Sequence, residues 1–172
     1  MKISILIPVN DYDIVALVHC MKDGIEQVPE FCEIIIGDDG SSEEFRKKYQ
    51  SLAGGKVKLV ASEKNIGRAS IRNRLIAEAT GDYLLFIDAD TMISGTAENY
   101  LHKWLEYIDH ARVISGGILY RDTPPGDPDK ILRWKYGRKK EQTKASDRNK
   151  HPYSRFSTFN VIIDKTIFAK FR

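Results

Sequence analysis

The sequence predicts an α/β fold in which helices cover both faces of a mostly parallel, Rossmann-like sheet. Three observations predict it. Apolar runs of strand length alternate with stretches of helical apolar spacing over residues 3–90. Those runs are nearly continuous, as in strands that are buried on both faces. The connections between them are short, which favours parallel strands joined by right-handed crossovers.

The first half of the chain contains four predicted strands and three predicted helices. Pro8 is expected to end the first strand, and the apolar spacing of residues 14–28 predicts the first helix. Ser42 and Asn65 are polar residues at the starts of the next two helices, where side-chain caps are favoured. Each predicted strand has an apolar centre; the strands cover residues 3–7, 33–37, 57–61 and 83–87.

The second half is predicted to be less regular. A helix is expected over residues 96–110, followed by a strand over 112–116. Residues 122–129 contain three prolines and a glycine, which predicts a loop. A returning strand over 157–163 precedes a last helix, which Asp164 is expected to cap and which runs to Arg172.

Composition limits the class of protein. The 172 residues suit a single domain with one core. Hydrophobic residues make up 42% and charged residues 30%, an ordinary globular balance, and no apolar run is long enough to span a membrane. The N-terminal apolar run is too short for a secretory signal, so we expect a cytoplasmic protein. Two cysteines are too few for a disulfide framework or a zinc site.

The positive charge of the chain is concentrated in one segment. The net charge is +3 overall, but residues 133–150 contain eight basic and two acidic residues. This local block differs from the extended basic face of a nucleic-acid-binding protein, so no nucleic-acid partner is expected. We predict an exposed, mobile loop that either keeps the protein soluble or contacts an anionic acceptor or a membrane surface.

Acidic residues follow two of the predicted strands. Asp38 and Asp39 end the second strand, and Asp88 and Asp90 end the fourth. In open α/β sheets, ligands bind at the carboxyl ends of the strands, where these carboxylates would repel one another unless a cation or donor groups lay among them. Mg²⁺ and Mn²⁺ suit such a pair, because they bind one or two carboxylates and complete their shell with water and phosphate oxygens. The alternative is that the acids only form turns or helix caps.

A basic helix is predicted to open at the same edge of the sheet. It carries Arg68, Arg72 and Arg74, of which the first two are four residues apart and share a face. Arginine forks suit phosphate groups and nucleobase edges, although a solvated basic face is the simpler alternative. The glycine-rich dinucleotide fingerprint, the P-loop and the nucleophile elbow are all absent from the sequence.

Four sequence blocks together resemble family 2 glycosyltransferases of the GT-A fold. In chain order they are Ile5-Leu6-Ile7-Pro8-Val9, Ile36-Gly37-Asp38-Asp39-Gly40-Ser41-Ser42, Asn65-Ile66-Gly67 with Arg72-Asn73, and Gly81-Asp82-Tyr83-Leu84-Leu85-Phe86-Ile87-Asp88-Ala89-Asp90. Phe159-Asn160-Val161-Ile162-Ile163 is similar to the strand that precedes the family's catalytic-base motif. The resemblance implies one GT-A domain, residues 1–172, with a nucleotide-sugar-binding half (1–92) and a partial acceptor half (93–172).

The resemblance implies an inverting transfer of a sugar from a nucleotide-diphosphate sugar, with a UDP-sugar as first choice. The acceptor would be a glycan or a lipid-linked molecule, in polysaccharide or cell-envelope biosynthesis. Asp39 matches the nucleobase contact, and Arg72 matches a basic position near the base and phosphates. The residues expected to bind the nucleotide sugar are Pro8, Val9, Asn10, Asp39, Asn65, Arg68, Arg72, Asp88 and Ala89. In the D-x-D motif, Asp90 is expected to bind Mn²⁺ or Mg²⁺, and Asp88 the ribose or metal-bound water.

Two departures from the family pattern affect these expectations. The usual Tyr-Asn after Pro-Val is Asn10-Asp11 here, so a different donor selectivity is expected. The general base of the family lies beyond the last strand and helix, so it is expected beyond Arg172. We therefore interpret the chain as a fragment that ends before the catalytic-base motif and assign no catalytic base within it.

Three alternatives use the same acidic residues. Residues 85–91 fit the motif of haloacid-dehalogenase-type phosphohydrolases, with Asp88 as nucleophile and Asp90 as acid/base. That motif normally lies on the first strand of its fold, whereas here it follows the fourth. A receiver-type domain using Asp38 and Asp39 is disfavoured because its acceptor aspartate should end the third strand. A nucleotide-binding module without catalysis remains open.

Overall fold

A computed structural model describes residues 1–154 and 156–170 as six strands and six α-helices, with a π-helical turn and a 3₁₀ helix. The strands are β1 (Ile3–Val9), β2 (Phe31–Asp38), β3 (Val57–Ala61), β4 (Tyr83–Ile87), β5 (Val113–Ser115) and β6 (Asn160–Asp164). The helices are α1 (Val15–Gln27), α2 (Glu43–Leu52), α3 (Arg68–Glu78), α4 (Ala97–Tyr107), α5 (Pro128–Tyr136) and α6 (Ala145–Asn149). The π-helical turn is Gly137–Glu141, and the 3₁₀ helix is Lys165–Lys170.

The six strands form one sheet in the order β3-β2-β1-β4-β6-β5. Strands β1 to β4 are parallel, and β6 runs antiparallel to both β4 and β5. The chain moves outward from β1 through β2 to β3 and then returns to place β4 on the other side of β1. Strand order therefore reverses between β1 and β4, and a ligand-binding crevice is expected at the carboxyl ends of those two strands.

Apolar side chains pack on both faces of the sheet. On one face, Ile5 and Ile36 belong to a cluster that includes buried residues of α1, α2 and α4. On the other face, Leu6 and Ile35 pack in a cluster with Leu75 of α3. Successive residues of β1 thus point to opposite layers, which confirms the predicted sheet with helices on both faces.

Two predictions about element ends in the first half were wrong. Pro8 does not end β1, because it pairs with Gly37 inside the strand. The pairing of β1 with β4 ends at Leu6. The backbone of Pro8 faces the β4 side beyond that last pair, so its missing N–H leaves no ladder hydrogen bond unmade. Asn65 does not cap α3: the cap position is Gly67, whose N–H donates to Asn65 Oδ1 at 3.1 Å.

The basic segment is helical, not a loop. Asp127 caps α5 by accepting a hydrogen bond from the Asp129 N–H at 3.0 Å, and Pro128 occupies the first turn, where its missing N–H leaves no bond unmade. Helical structure continues from α5 through the π-helical turn and resumes in α6. The loop that was predicted over residues 122–129 therefore ends before Pro128, where α5 begins.

The other ends are close to expectation. Ser42 stands at the start of α2, but its side chain makes no capping bond; instead, its N–H donates to Asp11 Oδ1 at 2.7 Å. Asp164 caps as predicted, since Oδ1 accepts from the Thr166 N–H at 2.8 Å, although the helix is 3₁₀. The predicted end of that helix at Arg172 lies outside the described residues.

Cys20 and Cys32 are free and half-buried. Within the part of the chain that the structure describes, no helix is both long enough and apolar enough to cross a membrane.

Candidate active site

An open cleft of about 380 Å³ lies at the carboxyl ends of β1, β2 and β4, beside the start of α3. Its position is the switch point of the strand order. Nine of the residues predicted from the sequence line it: Pro8, Val9, Asn10, Asp39, Asn65, Arg68, Asp88, Ala89 and Asp90. Arg72 reaches the cleft only through its contact with Asp88.

Sequence reasoning missed two lining residues, Tyr12 and Ile71. Tyr12 follows the first strand by three residues, and its position in the loop after Val9 was the available signal. Ile71 is 1% exposed, and nothing in the sequence distinguishes it from an ordinary core residue of α3. The cleft thus has an apolar wall beside its charged residues.

Asp39 holds the loop that closes one side of the cleft. It is 5% exposed, and its two carboxylate oxygens accept hydrogen bonds from the backbone of Ile66, at 2.7 Å, and Gly67, at 3.1 Å. Asn10 Nδ2 donates to the Asp39 backbone oxygen at 3.0 Å, which joins the loops after β1 and β2. The carboxylate is therefore held at the base of the cleft by the start of α3.

The neighbouring Asp38 is a structural residue. It is fully buried, and its Oδ1 accepts the Ser41 N–H at 2.8 Å. Its Oδ2 lies 3.5 Å from Arg46 Nε. Of the two adjacent acids, Asp39 alone lines the cleft, so the turn interpretation applies to Asp38.

Gly40 allows the loops after β2 and β3 to approach closely. Its φ is +74°, and a Cβ there would lie 2.3 Å from the backbone carbon of Lys64 and 2.4 Å from the backbone nitrogen of Asn65. Only glycine combines that backbone conformation with the absence of a side chain. The contact places Asn65 beside Asp39 in the cleft wall.

Asp88 is held by two arginines from one face of α3. Arg68 Nη2 donates to Asp88 Oδ2 at 2.6 Å, and Arg72 Nη2 donates to Asp88 Oδ1. The Arg68 side chain is 68% exposed, whereas the Arg72 side chain is 13% exposed and lies over the ring of Phe86. The groups that offset the repulsion between carboxylates at this edge are thus Arg68 and Arg72. Arg74 lies apart from them and donates a hydrogen bond to Ser62 Oγ at 2.7 Å.

Burial acts on both members of this ion pair. It raises the pKa of Asp88, although the positive charges of Arg72 and Arg68 act in the opposite direction. Burial also lowers the pKa of the Arg72 guanidinium, while the charge of Asp88 acts against that change. Each group is therefore costly to leave without the other.

Asp90 is the exposed acid of the D-x-D sequence and stands at the mouth of the cleft. Among residues 1–154 and 156–170, no three His, Cys, Asp or Glu side chains come together as a ready metal site. The carboxylates at this edge that could hold a metal ion are Asp90 and, behind it, the arginine-bound Asp88. That set suits Mg²⁺ or Mn²⁺, which bind few carboxylates and take their remaining ligands from water and phosphate.

A second, smaller cleft of about 230 Å³ adjoins the first. The two share Tyr12, Ala89 and Asp90, and the smaller one extends toward Cys20 of α1 and Met92. Asp90 therefore faces two adjoining spaces, one lined by charged residues and the other mainly apolar.

The fold and the cleft define an α/β enzyme class that binds its ligand at the switch point of the sheet. Residues 4–170 match the family model described as glycosyl transferase family 2, and the chain belongs to that family. The predicted family and GT-A fold are confirmed. The haloacid-dehalogenase and receiver alternatives are wrong, because residues 4–170 match a glycosyltransferase family.

Relatives and solved structures agree with this assignment. The chain is 32% identical over 117 residues to poly(ribitol-phosphate) beta-glucosyltransferase of Bacillus spizizenii, covering 62% of this chain and 17% of the relative. S. aureus TarS 1–349 in complex with UDP aligns with a TM-score of 0.51 and 25% identity, covering 73% of this chain and 38% of that one.

A mannosyltransferase from Pyrobaculum calidifontis, in complex with GDP-Man and Mn²⁺, aligns over 99% of this chain and 46% of its own, with a TM-score of 0.58. At 14% identity, this likeness concerns the fold. The chain spans less than half the length of each of these three proteins.

Proposed function

We propose that this domain belongs to an inverting glycosyltransferase that takes a sugar from a nucleotide-diphosphate sugar, with a UDP-sugar as first choice. One observation carries the proposal: Asp39, the pair of Arg68 with Asp88, and Asp90 all line one cleft at the switch point. These groups match, in order, the needs of a nucleobase, a diphosphate and a divalent cation. The complex of TarS with UDP supports uracil as the base.

The nucleoside is assigned to the side of the cleft formed by β1 and β2. Half-buried Pro8 offers apolar surface for the flat base and the ribose, with Val9 and Ile71 buried behind this wall. The Asp39 carboxylate already accepts two backbone N–H groups, but each oxygen has a second lone pair that can accept a base N–H. Asn10 and Asn65 line the same side and offer amide groups for the ribose.

The diphosphate is assigned to Arg68. Its guanidinium is mostly exposed and can turn from Asp88 toward a phosphate without leaving a buried charge behind. Arg72, in contrast, is mostly buried and stays with Asp88, so we propose it as a positioning residue. This division revises the expectation that Arg72 itself contacts the phosphates.

Asp90 is the proposed metal ligand, with Asp88 held behind it. When bound there, Mn²⁺ or Mg²⁺ would neutralise the negative charge that develops on the departing nucleotide diphosphate. The hydrogen bonds from two arginines hold Asp88 at the edge of the cleft. From that position its carboxylate is proposed to contact the ribose or metal-bound water beside Asp90. Ala89 lies between the two acids and lines both clefts.

Transfer with inversion breaks the bond between the anomeric carbon and the diphosphate oxygen, as an acceptor hydroxyl forms a new bond from the opposite face. A base must take the hydroxyl proton during this step. The acids that line the larger cleft, Asp39, Asp88 and Asp90, already have other proposed roles. We therefore assign the role of general base to none of these three acids.

The acceptor is proposed to be a glycan or a lipid-linked molecule in polysaccharide or cell-envelope biosynthesis. The relative whose name specifies a poly(ribitol-phosphate) acceptor supports a polymer of this kind. The half of the chain after residue 92 is the proposed acceptor side. The location of the protein in the cytoplasm, at the inner face of the membrane, stays a prediction.

Thermal unfolding with added ligands tests the donor assignment. UDP, UDP-sugars, GDP and inorganic phosphate are each added with Mn²⁺, with Mg²⁺ and with a chelator. A nucleotide at about 100 times its dissociation constant adds about 2.7 kcal/mol, which raises Tm by roughly 5–10 °C for a chain of this size. We expect this rise for a nucleotide diphosphate only when metal is present. A Tm that does not change with any combination of nucleotide and metal would contradict the proposal.

A further inference from the structure

Helix α5 and the π-helical turn that follows it are attached to the domain along one face. Trp134 Nε1 donates to the Arg121 backbone oxygen at 2.8 Å, and Arg138 Nη1 donates to the Asp122 backbone oxygen, also at 2.8 Å. Arg133 forms an ion pair with Glu141 at 2.9 Å. No residue of α5 is buried, so its contacts orient the helix without covering it.

The opposite face of α5 presents apolar residues to solvent. Leu132 is 79% exposed and Tyr136 is 57% exposed, and the two are one helical turn apart. Lys135 and Lys139 flank them at helical spacing and are exposed. Lysines therefore border the apolar pair, and the opposite face of the helix packs against the rest of the domain.

The lysines on this face are free to meet an anionic surface. Lys135, Lys139 and Lys140 form no ion pair with any acid among the described residues, whereas Arg133, Arg138 and Lys150 of the same segment are each paired. Asp129 is the acidic residue nearest to Leu132 along the exposed side of the helix. Positive charge therefore dominates around the apolar pair.

We propose that α5, together with the π-helical turn that follows it, lies on a membrane surface and binds anionic lipid. Leu132 and Tyr136 enter the boundary between headgroups and acyl chains, and Lys135, Lys139 and Lys140 extend to the headgroup phosphates. Charge complementarity alone would suit a soluble anionic polymer equally well. The exposed leucine and tyrosine between the lysines favour lipid, because a hydrated polymer offers them no apolar environment.

This inference does not depend on donor chemistry. It goes beyond the proposed function by assigning an attachment surface to the acceptor side of the domain, separate from the cleft. Instead of a basic loop, the proposed surface is one face of α5 and of the π-helical turn after it.

Vesicle co-sedimentation at low salt tests the proposal. The wild-type chain is expected to bind vesicles that contain phosphatidylglycerol, and not vesicles of phosphatidylcholine alone. Replacing Lys135, Lys139 and Lys140 by Gln should weaken binding by about fivefold per lysine. Replacing Leu132 and Tyr136 by Ser should weaken it by at least about tenfold, since their burial in the lipid boundary is lost.

Helix α4 offers a matched control. Lys103 and Tyr107 are also one turn apart and exposed, and Tyr107 is 54% exposed. The variant Lys103→Gln with Tyr107→Ser removes a similar lysine and aromatic ring, and should leave vesicle binding unchanged. Circular dichroism and nucleotide-induced Tm shifts of every variant report folding and the donor site separately, so a failure of the donor assignment is distinguishable.

A soluble polyanion, polyphosphate, separates the two sources of negative charge. On the proposal, the serine variant loses vesicle binding but binds polyphosphate as the wild type does, because only lipid contacts Leu132 and Tyr136. If the glutamine variant loses vesicle binding but the serine variant binds vesicles as tightly as the wild type, the membrane assignment is overturned in favour of a polymer-binding surface. Absence of any binding to anionic vesicles would overturn it as well.

Discussion

Arg72 and Asp88 form an ion pair on the inner wall of the cleft, where the side chain of Arg72 is 13% exposed and that of Asp88 is 20% exposed. The acid follows β4 and the base lies on α3, so the pair joins the strand end to the helix. A second arginine, Arg68, reaches the same carboxylate from solvent. The cleft therefore has an internal counter-charge that holds its D-x-D edge in place before any ligand arrives.

Asp88→Asn should destabilise the protein by about 2 kcal/mol, because it leaves the mostly buried Arg72 guanidinium without its counter-charge. For a chain of this size the expected loss of Tm is roughly 4–8 °C. Arg68→Gln is the control: its side chain is exposed, so the change should stay within about 0.5 kcal/mol. Denaturant unfolding measures both. Equal stability of Asp88→Asn and wild type would mean that the pair does not support the fold.

Asp90→Asn should leave stability within about 0.5 kcal/mol of wild type and abolish the metal-dependent Tm rise with nucleotide diphosphate. The side chain is exposed, so the fold does not depend on its charge. Asp109→Asn, at another exposed acid, should keep the full rise. If Asp90→Asn unfolds the protein, its role is structural; if it binds nucleotide and metal normally, the ligand assignment is wrong.

Gly40→Ala should cost about 3 kcal/mol and weaken nucleotide binding. It adds a Cβ against the backbone of residues 64 and 65 at a φ that disfavours side chains. Gly55→Ala is a matched control, because its φ is +56° but nothing lies within 4 Å of the added Cβ; it should cost about 1 kcal/mol. Thermal unfolding and nucleotide titration compare the two. Similar costs would show that the backbone conformation alone matters at Gly40.

Glu33 should make stability depend on acid pH. It is 4% exposed, and burial alone would raise its pKa. Hydrogen bonds from Lys58, Thr80 and Ser4 outweigh burial and lower the pKa from 4.5 to about 2. Because the folded state prefers the ionised form, this contribution is complete above pH 4.5 and is lost as the pH falls through about 2.

The variant Glu33→Gln isolates that contribution. We expect it to be about 2 kcal/mol less stable than wild type at pH 7, with the difference shrinking as the pH falls from 4.5 toward 2. Urea unfolding across that range measures the difference. Glu26→Gln, which removes an exposed partner of Lys56, should change stability by less than about 0.5 kcal/mol throughout. A constant difference for Glu33→Gln would contradict the assigned cause.

The sequence alone determined the alternation of strands and helices in the first half and the acids at the strand ends. These features are local, because apolar periodicity and strand length are set by a few adjacent residues. The same acids and their spacing carried the family resemblance. Nine residues predicted to bind the donor or metal line the cleft for this reason: parallel strands bring their carboxyl ends to one edge.

Only the tertiary structure decided how adjacent residues divide their roles. Asp38 is buried with Arg46 while Asp39 lines the cleft, and Arg72 is enclosed over Phe86 while Arg68 stays in solvent. Each role depends on which distant segment packs against the residue, and no local pattern carries that information.

The basic segment shows the same limit on a larger scale. Its density of basic residues suggested a loop. Asp127 instead caps α5, and Trp134 of α5 and Arg138 of the following π-helical turn bond to the backbone of residues 121 and 122. Those contacts decide which face is covered, and so leave Leu132 and Tyr136 exposed. Helix formation in so short a segment depends on tertiary contacts more than on propensity, which is why the sequence alone could not determine it.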